Sequence, residues 1–154
     1  MNENIRIVNF NVTEWDRPAR IRNGVKYPVS PYPREWVSDR WTKLAQTLQA
    51  IRNRLGKPIK ISSGYRDPAY NKAIGGKPKS QHMEGRAADI LVSRMAMGDV
   101  HDIILEMYKR DELPYLGGLG WYPDHSPPFV HVDVRPTDKL IRWTEKATSK
   151  RDGM

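Results

Sequence analysis

The stretch Ser80-Gln81-His82-Met83-Glu84-Gly85-Arg86-Ala87-Ala88-Asp89 decides how the rest of the chain can be arranged. It holds a histidine and an aspartate seven positions apart, and the glycine and two alanines between them let backbones approach closely. The apolar run Ile90-Leu91-Val92 that follows predicts a buried strand. We therefore expect His82 on a loop and Asp89 at the start of an interior strand.

A second short apolar run, residues 129–134, contains another histidine. Because side chains alternate between the two faces of a strand, His131 and Asp133 share one face and the three valines of the run share the other. Two such polar side chains facing His82 and Asp89 suggest a metal site. His, Asp and His with one position left for water is the ligand pattern of a catalytic zinc.

Composition narrows the classes of protein and of metal site. The chain has 154 residues and no cysteine. Its length fits one domain with a real core, and the lack of cysteine excludes disulfide scaffolds and thiolate metal sites. The formal net charge of +8 favours an anionic partner such as nucleic acid, a membrane surface or an acidic cell-wall polymer. The basic residues are dispersed and no nucleic-acid motif is recognisable, so we expect no specific nucleic-acid partner.

The first residues and the hydropathy pattern bear on location. Residues 1–4 lack the basic and apolar regions of a signal peptide. No apolar stretch is long enough to span a bilayer, so we expect no membrane insertion. These features predict a protein made in the cytoplasm.

The remaining patterns predict a small α+β domain, in which helices pack on one antiparallel sheet. Residues 1–36 are expected to form an irregular N-terminal wrap of the same domain, with a short strand over residues 5–12, because four prolines forbid a long helix. Residues 37–143 form the core and residues 144–154 a charged C-terminal tail. The elements predicted in the core are an amphipathic helix over residues 35–55 ended by Gly56, a strand at 59–61, a short helix over 68–73 capped by Asp67, a helix from Gly98 or Asp99, and strands at 117–123 and 129–134.

Several separated motifs, taken together, resemble the zinc D-alanyl-D-alanine carboxypeptidase family. This family cuts peptidoglycan stem peptides, includes phage endolysin peptidases and shares its fold with the hedgehog signalling domain. The match covers roughly residues 37–143, whereas residues 1–36 resemble no known family. The motifs are Ser63-Gly64-Tyr65-Arg66, Pro68-x-Tyr70-Asn71, Gly75-Gly76, Ser80-x-His82-x-x-Gly85-x-Ala87-Ala88-Asp89, Gly118-x-Gly120-x-Tyr122-Pro123 and Phe129-Val130-His131-Val132-Asp133.

The resemblance implies roles for single residues. His82, Asp89 and His131 would be the ligands of a Zn²⁺ cofactor, and Arg66 would clamp a substrate carbonyl or carboxylate. Bound zinc would activate a water for attack on an amide next to a D-amino acid, and the guanidinium would stabilise the oxyanion. The other substrate-binding residues expected near this site are Tyr65, Ser80 and Gln81.

The general base is where the chain departs from the family. Well-known members have Glu three residues before the last ligand or His two residues before it, and here those places hold Pro128 and Phe129. Asp133 is the nearest replacement. It could be the catalytic base, could hold His131 in its metal-binding tautomer, or could be the third ligand with His131 as the base.

Two weaker candidates for the base are His125 and Glu84.

The sequence thus predicts a zinc metallopeptidase acting on peptidoglycan stem peptides, as a D,D-carboxypeptidase or an endopeptidase. The alternative is a catalytically silent zinc domain that binds peptidoglycan or has a structural role. Small size and the absence of a signal peptide favour a monomeric, phage-encoded lysin that acts on the cell wall after release or from the virion.

Overall fold

A computed structural model of the protein describes residues 5–146. Most of the predicted C-terminal tail, residues 147–154, lies outside the described residues. Within them lie the helices α1 (Thr42–Leu55), α2 (Pro68–Ala73) and α3 (Met97–Lys109) and the strands β1 (Arg20–Arg22), β2 (Val25–Tyr27), β3 (Ile59–Ser63), β4 (Ala87–Val92), β5 (Gly118–Tyr122), β6 (Phe129–Asp133) and β7 (Ile141–Thr144).

Five strands form the main sheet, in the order β3-β4-β6-β5-β7. Neighbouring strands from β3 to β5 are antiparallel, as predicted. Strand β7 lies parallel to β5 and closes the far edge, a pairing the sequence did not indicate. The α+β class, a small sheet flanked by helices, is confirmed.

The two faces of this sheet have different partners. Val130 and Val132 of β6 are fully buried in a core that includes side chains of both long helices, and α3 contacts β4, β5 and β6. His131 and Asp133 point to the opposite face, as the alternation of a strand requires. One face therefore holds the fold together, and the other is available for polar chemistry.

The predicted helices are present, with changes at their starts. The regular part of α1 begins at Thr42, because a 3₁₀ turn over Arg34–Trp36 and a π-helical turn over Val37–Trp41 come first. It ends at Leu55, and Gly56 adopts the predicted left-handed conformation. Asp67 caps α2 by accepting a hydrogen bond from the backbone N–H of Tyr70, which confirms that prediction.

The N-terminal segment is more structured than predicted. The strand expected over residues 5–12 is wrong: residues 5–11 are irregular, and Asn11 caps a 3₁₀ turn over Val12–Trp15. An antiparallel hairpin of β1 and β2, turned at Asn23-Gly24, was not predicted. Both turn residues have positive φ, 50° and 77°, which is what the two-residue loop of a hairpin requires.

The same segment fixes the loop that carries the His82 motif. Gly85 has φ of 69°, and its carbonyl oxygen accepts a 2.6 Å hydrogen bond from the Tyr32 hydroxyl. A Cβ at this position would lie 2.6 Å from the Trp36 ring and 2.8 Å from that hydroxyl. The glycine of the motif is therefore required both by backbone conformation and by close packing of the N-terminal segment.

We expect Gly85→Ala to lower the free energy of unfolding by about 2–4 kcal/mol, as left-handed strain of about 1–2 kcal/mol adds to overpacking of similar size. Chemical denaturation would measure the change. Gly56→Ala is the matched control, because Gly56 has φ of 67° and open space where its Cβ would lie. An equal loss in both variants would contradict the packing contribution.

Candidate metal centre

Strand register places one row of residues across the polar face of the sheet. Asp89 of β4 lies opposite His131 of β6, and His131 lies opposite Gly120 of β5. Gly120 in turn pairs with Trp143 of β7. Because Gly120 has no side chain, the Trp143 ring can lie over it, and the centroids of the Trp143 and His131 rings are 5.0 Å apart.

His82 reaches this row from the loop before β4. Its Nδ1 lies 2.7 Å from the Gly64 carbonyl oxygen, and its Nε2 lies 3.2 Å from Asp89 Oδ1. A carbonyl oxygen can only accept a hydrogen bond, so the ring proton sits on Nδ1. In the neutral ring, the lone pair of Nε2 therefore faces Asp89.

His131 is held in the complementary way. Its Nε2 donates to Asp133 Oδ2 at 2.7 Å, and its Nδ1 lies 3.1 Å from Asp89 Oδ1. Asp133 is fully buried, and Arg135 binds both its oxygens through Nε and Nη2, at 2.9 and 2.7 Å. These contacts overcome the effect of burial and lower the pKa of Asp133 to about 2, so it remains an ionised acceptor.

These contacts leave the centre short of positive charge. Two nitrogen lone pairs face one carboxylate oxygen of Asp89, and these acceptors repel one another unless a proton or a cation lies among them. The ligand atoms of His82, Asp89 and His131 all lie within 4.8 Å of one another, and all three residues are buried. Two imidazole nitrogens and a carboxylate oxygen fit a zinc ion. The Gly64 carbonyl and the Asp133 carboxylate fix the tautomers of the two histidines, as metal-ligating histidines require.

The pKa shifts follow from the same contacts. Burial is the largest effect on His82 and lowers its pKa, which keeps the ring neutral and able to bind a metal. Burial alone would raise the pKa of Asp89, but His82 and His131 reverse this and hold it well below its usual range. The pKa of His131 is raised, because its bonds to Asp133 and Asp89 outweigh the opposite effect of burial.

An open cavity of ≈ 500 Å³ lies over the three residues. Arg66 lines it and is held by Ser63 Oγ, by Asn71 Oδ1 at 3.1 Å and by Asp89 Oδ2 at 3.7 Å. Burial lowers the pKa of its guanidinium. Ser80 and Gln81, which the sequence predicts to bind substrate, also line the cavity.

Other predicted site residues lie elsewhere. Tyr65 does not line this cavity, because its ring packs edge-on against Tyr32 and Trp36. Glu84 is paired with Arg40 and Arg86 outside the cavity. Asp133 contacts the side of the His131 ring that faces away from Asp89, and it does not line the cavity either.

The residues that line the cavity without having been predicted as site residues include Tyr122, Trp143 and Glu145. The Trp143 indole N–H donates to the Tyr122 hydroxyl oxygen at 2.9 Å, and the Tyr122 ring stacks on Phe129 with centroids 4.4 Å apart. The alternation of β5 could have found Tyr122, since it shares a face with Gly120. Trp143 depends on the parallel pairing of β7, for which the sequence has no local signal.

Comparison with known proteins agrees with this arrangement. A family model described as peptidase M15 matches residues 9–133. The chain belongs to the peptidase M15 family. The match begins well before residue 37, so the family domain includes most of the N-terminal segment that resembled no known family.

Two kinds of curated relative are similar to this member of the M15 family. The peptidoglycan L,D-endopeptidase MepK of Escherichia coli K12 is 31% identical over 100 residues, which cover 60% of this chain and 50% of the relative. The zinc D-Ala-D-Ala carboxypeptidase of Streptomyces albus G is 33% identical over 84 residues, covering 54% of this chain and 31% of that enzyme. The chain thus spans half or less of the length of these relatives. Its buried His82, Asp89 and His131 support zinc as the cofactor of this family member.

The described part of this M15 chain contains no helix that is both long and apolar enough to cross a bilayer.

Proposed function

We propose that the protein is a zinc-dependent peptidase that hydrolyses an amide bond of peptidoglycan stem peptides next to a D-amino acid. The observation that supports this best is that the ligand atoms of His82, Asp89 and His131 lie within 4.8 Å of one another and that all three residues line an open cavity. One relative is named as a peptidoglycan L,D-endopeptidase and the other as a zinc D-Ala-D-Ala carboxypeptidase. The first name supports peptidoglycan as the substrate, and the bond types in both names are candidates for cleavage.

His82, Asp89 and His131 would hold the zinc ion, which when bound would supply a water of near-neutral pKa and a Lewis acid for the scissile carbonyl. Arg66 supplies a fixed guanidinium beside the centre, because Ser63 and Asn71 hold its other nitrogens. Its fork suits a carboxylate or the oxygen of a developing oxyanion. Arg66 is therefore assigned to substrate clamping.

Tyr122 is assigned as a second hydrogen-bond donor to the substrate. Because Trp143 already donates to its oxygen, the hydroxyl proton of Tyr122 is available to an acceptor in the cavity. Burial raises the pKa of Tyr122, so the hydroxyl stays protonated. It lies close enough to Arg66 and Asp89 to interact electrostatically with both.

Asp133 is assigned as a positioning residue and His125 as the group that moves the proton. Asp133 holds the tautomer of His131 and is saturated by Arg135. Of the three candidate bases, His125 is the one that lines the cavity, where its ring packs against Tyr122 and Phe129. Histidine is the commonest general base in enzymes.

The activity can be tested on purified peptidoglycan by reading the released peptides by mass. We expect wild type with about one zinc per chain to release stem-peptide fragments. We expect His82→Ala to lose zinc and its activity to fall more than about a hundredfold. Mutating a residue that only orients a metal ligand costs up to about a hundredfold, and removing the ligand itself should cost more. His101→Ala is the matched control, since His101 lies on α3 away from the centre. Zinc without fragments in wild type, across several wall chemistries, would instead favour the silent binding domain.

Asp133→Asn tests the positioning role. We expect zinc affinity to fall about 10- to 100-fold, because the acceptor that orients His131 is weakened, and turnover to recover at saturating zinc. Chelator competition and turnover at two zinc concentrations would measure both effects. Full zinc occupancy without turnover would show that Asp133 is the base after all.

Tyr122→Phe tests the hydroxyl donor. We expect kcat/KM to fall about a hundredfold with zinc content unchanged, the size of loss typical for one oxyanion donor. Tyr115→Phe, which removes a hydroxyl outside the cavity, should have no effect. Trp143→Phe would remove the bond to Tyr122 and keep the hydroxyl, so an equal loss in that variant would contradict a direct role for Tyr122.

A further inference from the structure

A second cavity adjoins the metal centre on the side of the N-terminal hairpin. Its volume is ≈ 480 Å³, close to that of the first cavity, and Arg66 and Ile74 line both. Strand β1 of the hairpin and strand β3 form its sides. We call this second cavity the hairpin groove. Its position makes it a continuation of the space in which a substrate bond would be cleaved.

The hairpin is held firmly in place. Tyr27 of β2 packs edge-on against Tyr70 of α2, with ring centroids 5.4 Å apart. Arg17, which is buried, donates from Nε to Asp67 Oδ1 at 2.8 Å and places its guanidinium 4.5 Å from the Tyr70 ring. These contacts anchor a two-stranded ribbon that would be marginal by itself. The hairpin side of the groove is therefore fixed in position by these contacts.

Three exposed cations line the hairpin groove: Arg20 and Arg22 on β1 and Lys60 on β3. Register places the two arginines on one face of the hairpin, the face that carries Tyr27. Among residues 5–146, no carboxylate lies within ion-pair distance of any of the three. Three unpaired cations along one groove favour an anionic ligand.

Two carboxylates also line the groove, but each is used within the N-terminal segment. Glu14 accepts a hydrogen bond from the backbone N–H of Asn11 at 2.8 Å. Asp16 accepts one from the backbone N–H of Tyr32, also at 2.8 Å. Both are thus partly neutralised by backbone donors, and the unpaired cations dominate the charge available to a ligand.

Strand β3 gives the groove a direction. It is the edge strand of the main sheet, pairing with β4 on one side. An extended peptide can lie along such an edge. Lys60 precedes Arg66 by six residues, and an extended chain rises about 3.3 Å per residue, so the two are at most roughly 20 Å apart. An extended peptide of about six residues covers that length, and one of five residues covers about 17 Å of it.

We propose that the hairpin groove is a second substrate subsite, which holds the carboxylate-bearing part of an extended stem peptide while its scissile bond lies at the metal centre. This inference rests on the proposed function. The carboxylate concerned is the free α-carboxylate of a γ-linked D-glutamate, because that group stands in the middle of a stem peptide and carries its charge away from the scissile bond. The subsite would make the enzyme prefer the acid form over the amide form of this residue.

The test uses two pentapeptides that differ in one charge: L-Ala-γ-D-Glu-L-Lys-D-Ala-D-Ala and the same peptide with D-isoglutamine. The variant is the triple substitution Arg20→Gln, Arg22→Gln and Lys60→Gln. We expect wild type to favour the acid form in kcat/KM by about two- to fivefold, through KM, which is the size expected of exposed charge contacts. The triple variant should lose this preference and keep kcat on the amide form.

The matched control removes three exposed cations away from both cavities: Arg6→Gln, Lys109→Gln and Lys139→Gln. It has the same net charge as the groove variant. An equal loss of the preference for the acid form in this control would show that the preference depends on overall charge, which would overturn the proposal. Equal kcat/KM for the two peptides in wild type would also overturn it.

Binding measured by calorimetry on the same proteins separates this inference from the proposed function. Tighter binding of the acid form to wild type, lost in the groove variant, supports the subsite even if neither peptide is cleaved, and cleavage failure would then contradict the function alone. Equal binding of both peptides to wild type and to the groove variant, with cleavage intact, would overturn the subsite alone.

Discussion

The hydrogen bond from His131 to Asp133 is the interaction on which the centre depends. It commits one ring nitrogen to a buried carboxylate and turns the other, as a lone pair, toward Asp89. The bond exists because both residues lie on one face of β6, two positions apart. A shift of one residue in the pairing of β4 with β6 would exchange that face for the valine face and place His131 in the apolar core. The packing of the valines against the helices therefore also fixes the register of the site.

The N-terminal segment is bonded directly to the backbone that surrounds His82. The carbonyl of Trp15 accepts from the backbone N–H of Tyr65, directly after the Gly64 carbonyl that orients His82. The Tyr32 hydroxyl holds Gly85 on the other side of His82. The segment thus bonds to Gly85 in the loop that carries His82 and to the backbone after β3 whose carbonyl orients the His82 ring. This is a physical reason for the family match to start at residue 9.

Local patterns in the sequence predicted much of this correctly, and the misses have identifiable causes. The α2 cap and the end of α1 depend on neighbouring residues, and the shared face of His131 and Asp133 depends on alternation within one strand. The hairpin has a local signal in Asn23-Gly24, but the prolines around it favour an irregular segment. Trp143 reaches the cavity through the pairing of β7 with β5, which joins positions more than twenty residues apart, and no local pattern encodes such a contact.

Charge balance explains what the assembled centre can attract. Asp89 and Asp133 are ionised, and Arg66 and Arg135 compensate them through direct contacts. With both histidines neutral, these side chains sum to zero, so a divalent ion at the three ligands leaves the centre with a formal charge of about +2 in a partly buried place. Interactions between charges are stronger there than in water. The cavity then favours groups that bring or develop negative charge, such as a carboxylate or a carbonyl oxygen under attack. Because Arg135 neutralises Asp133 and itself lines the cavity, Asp133 does not offset the positive charge that a substrate would meet there.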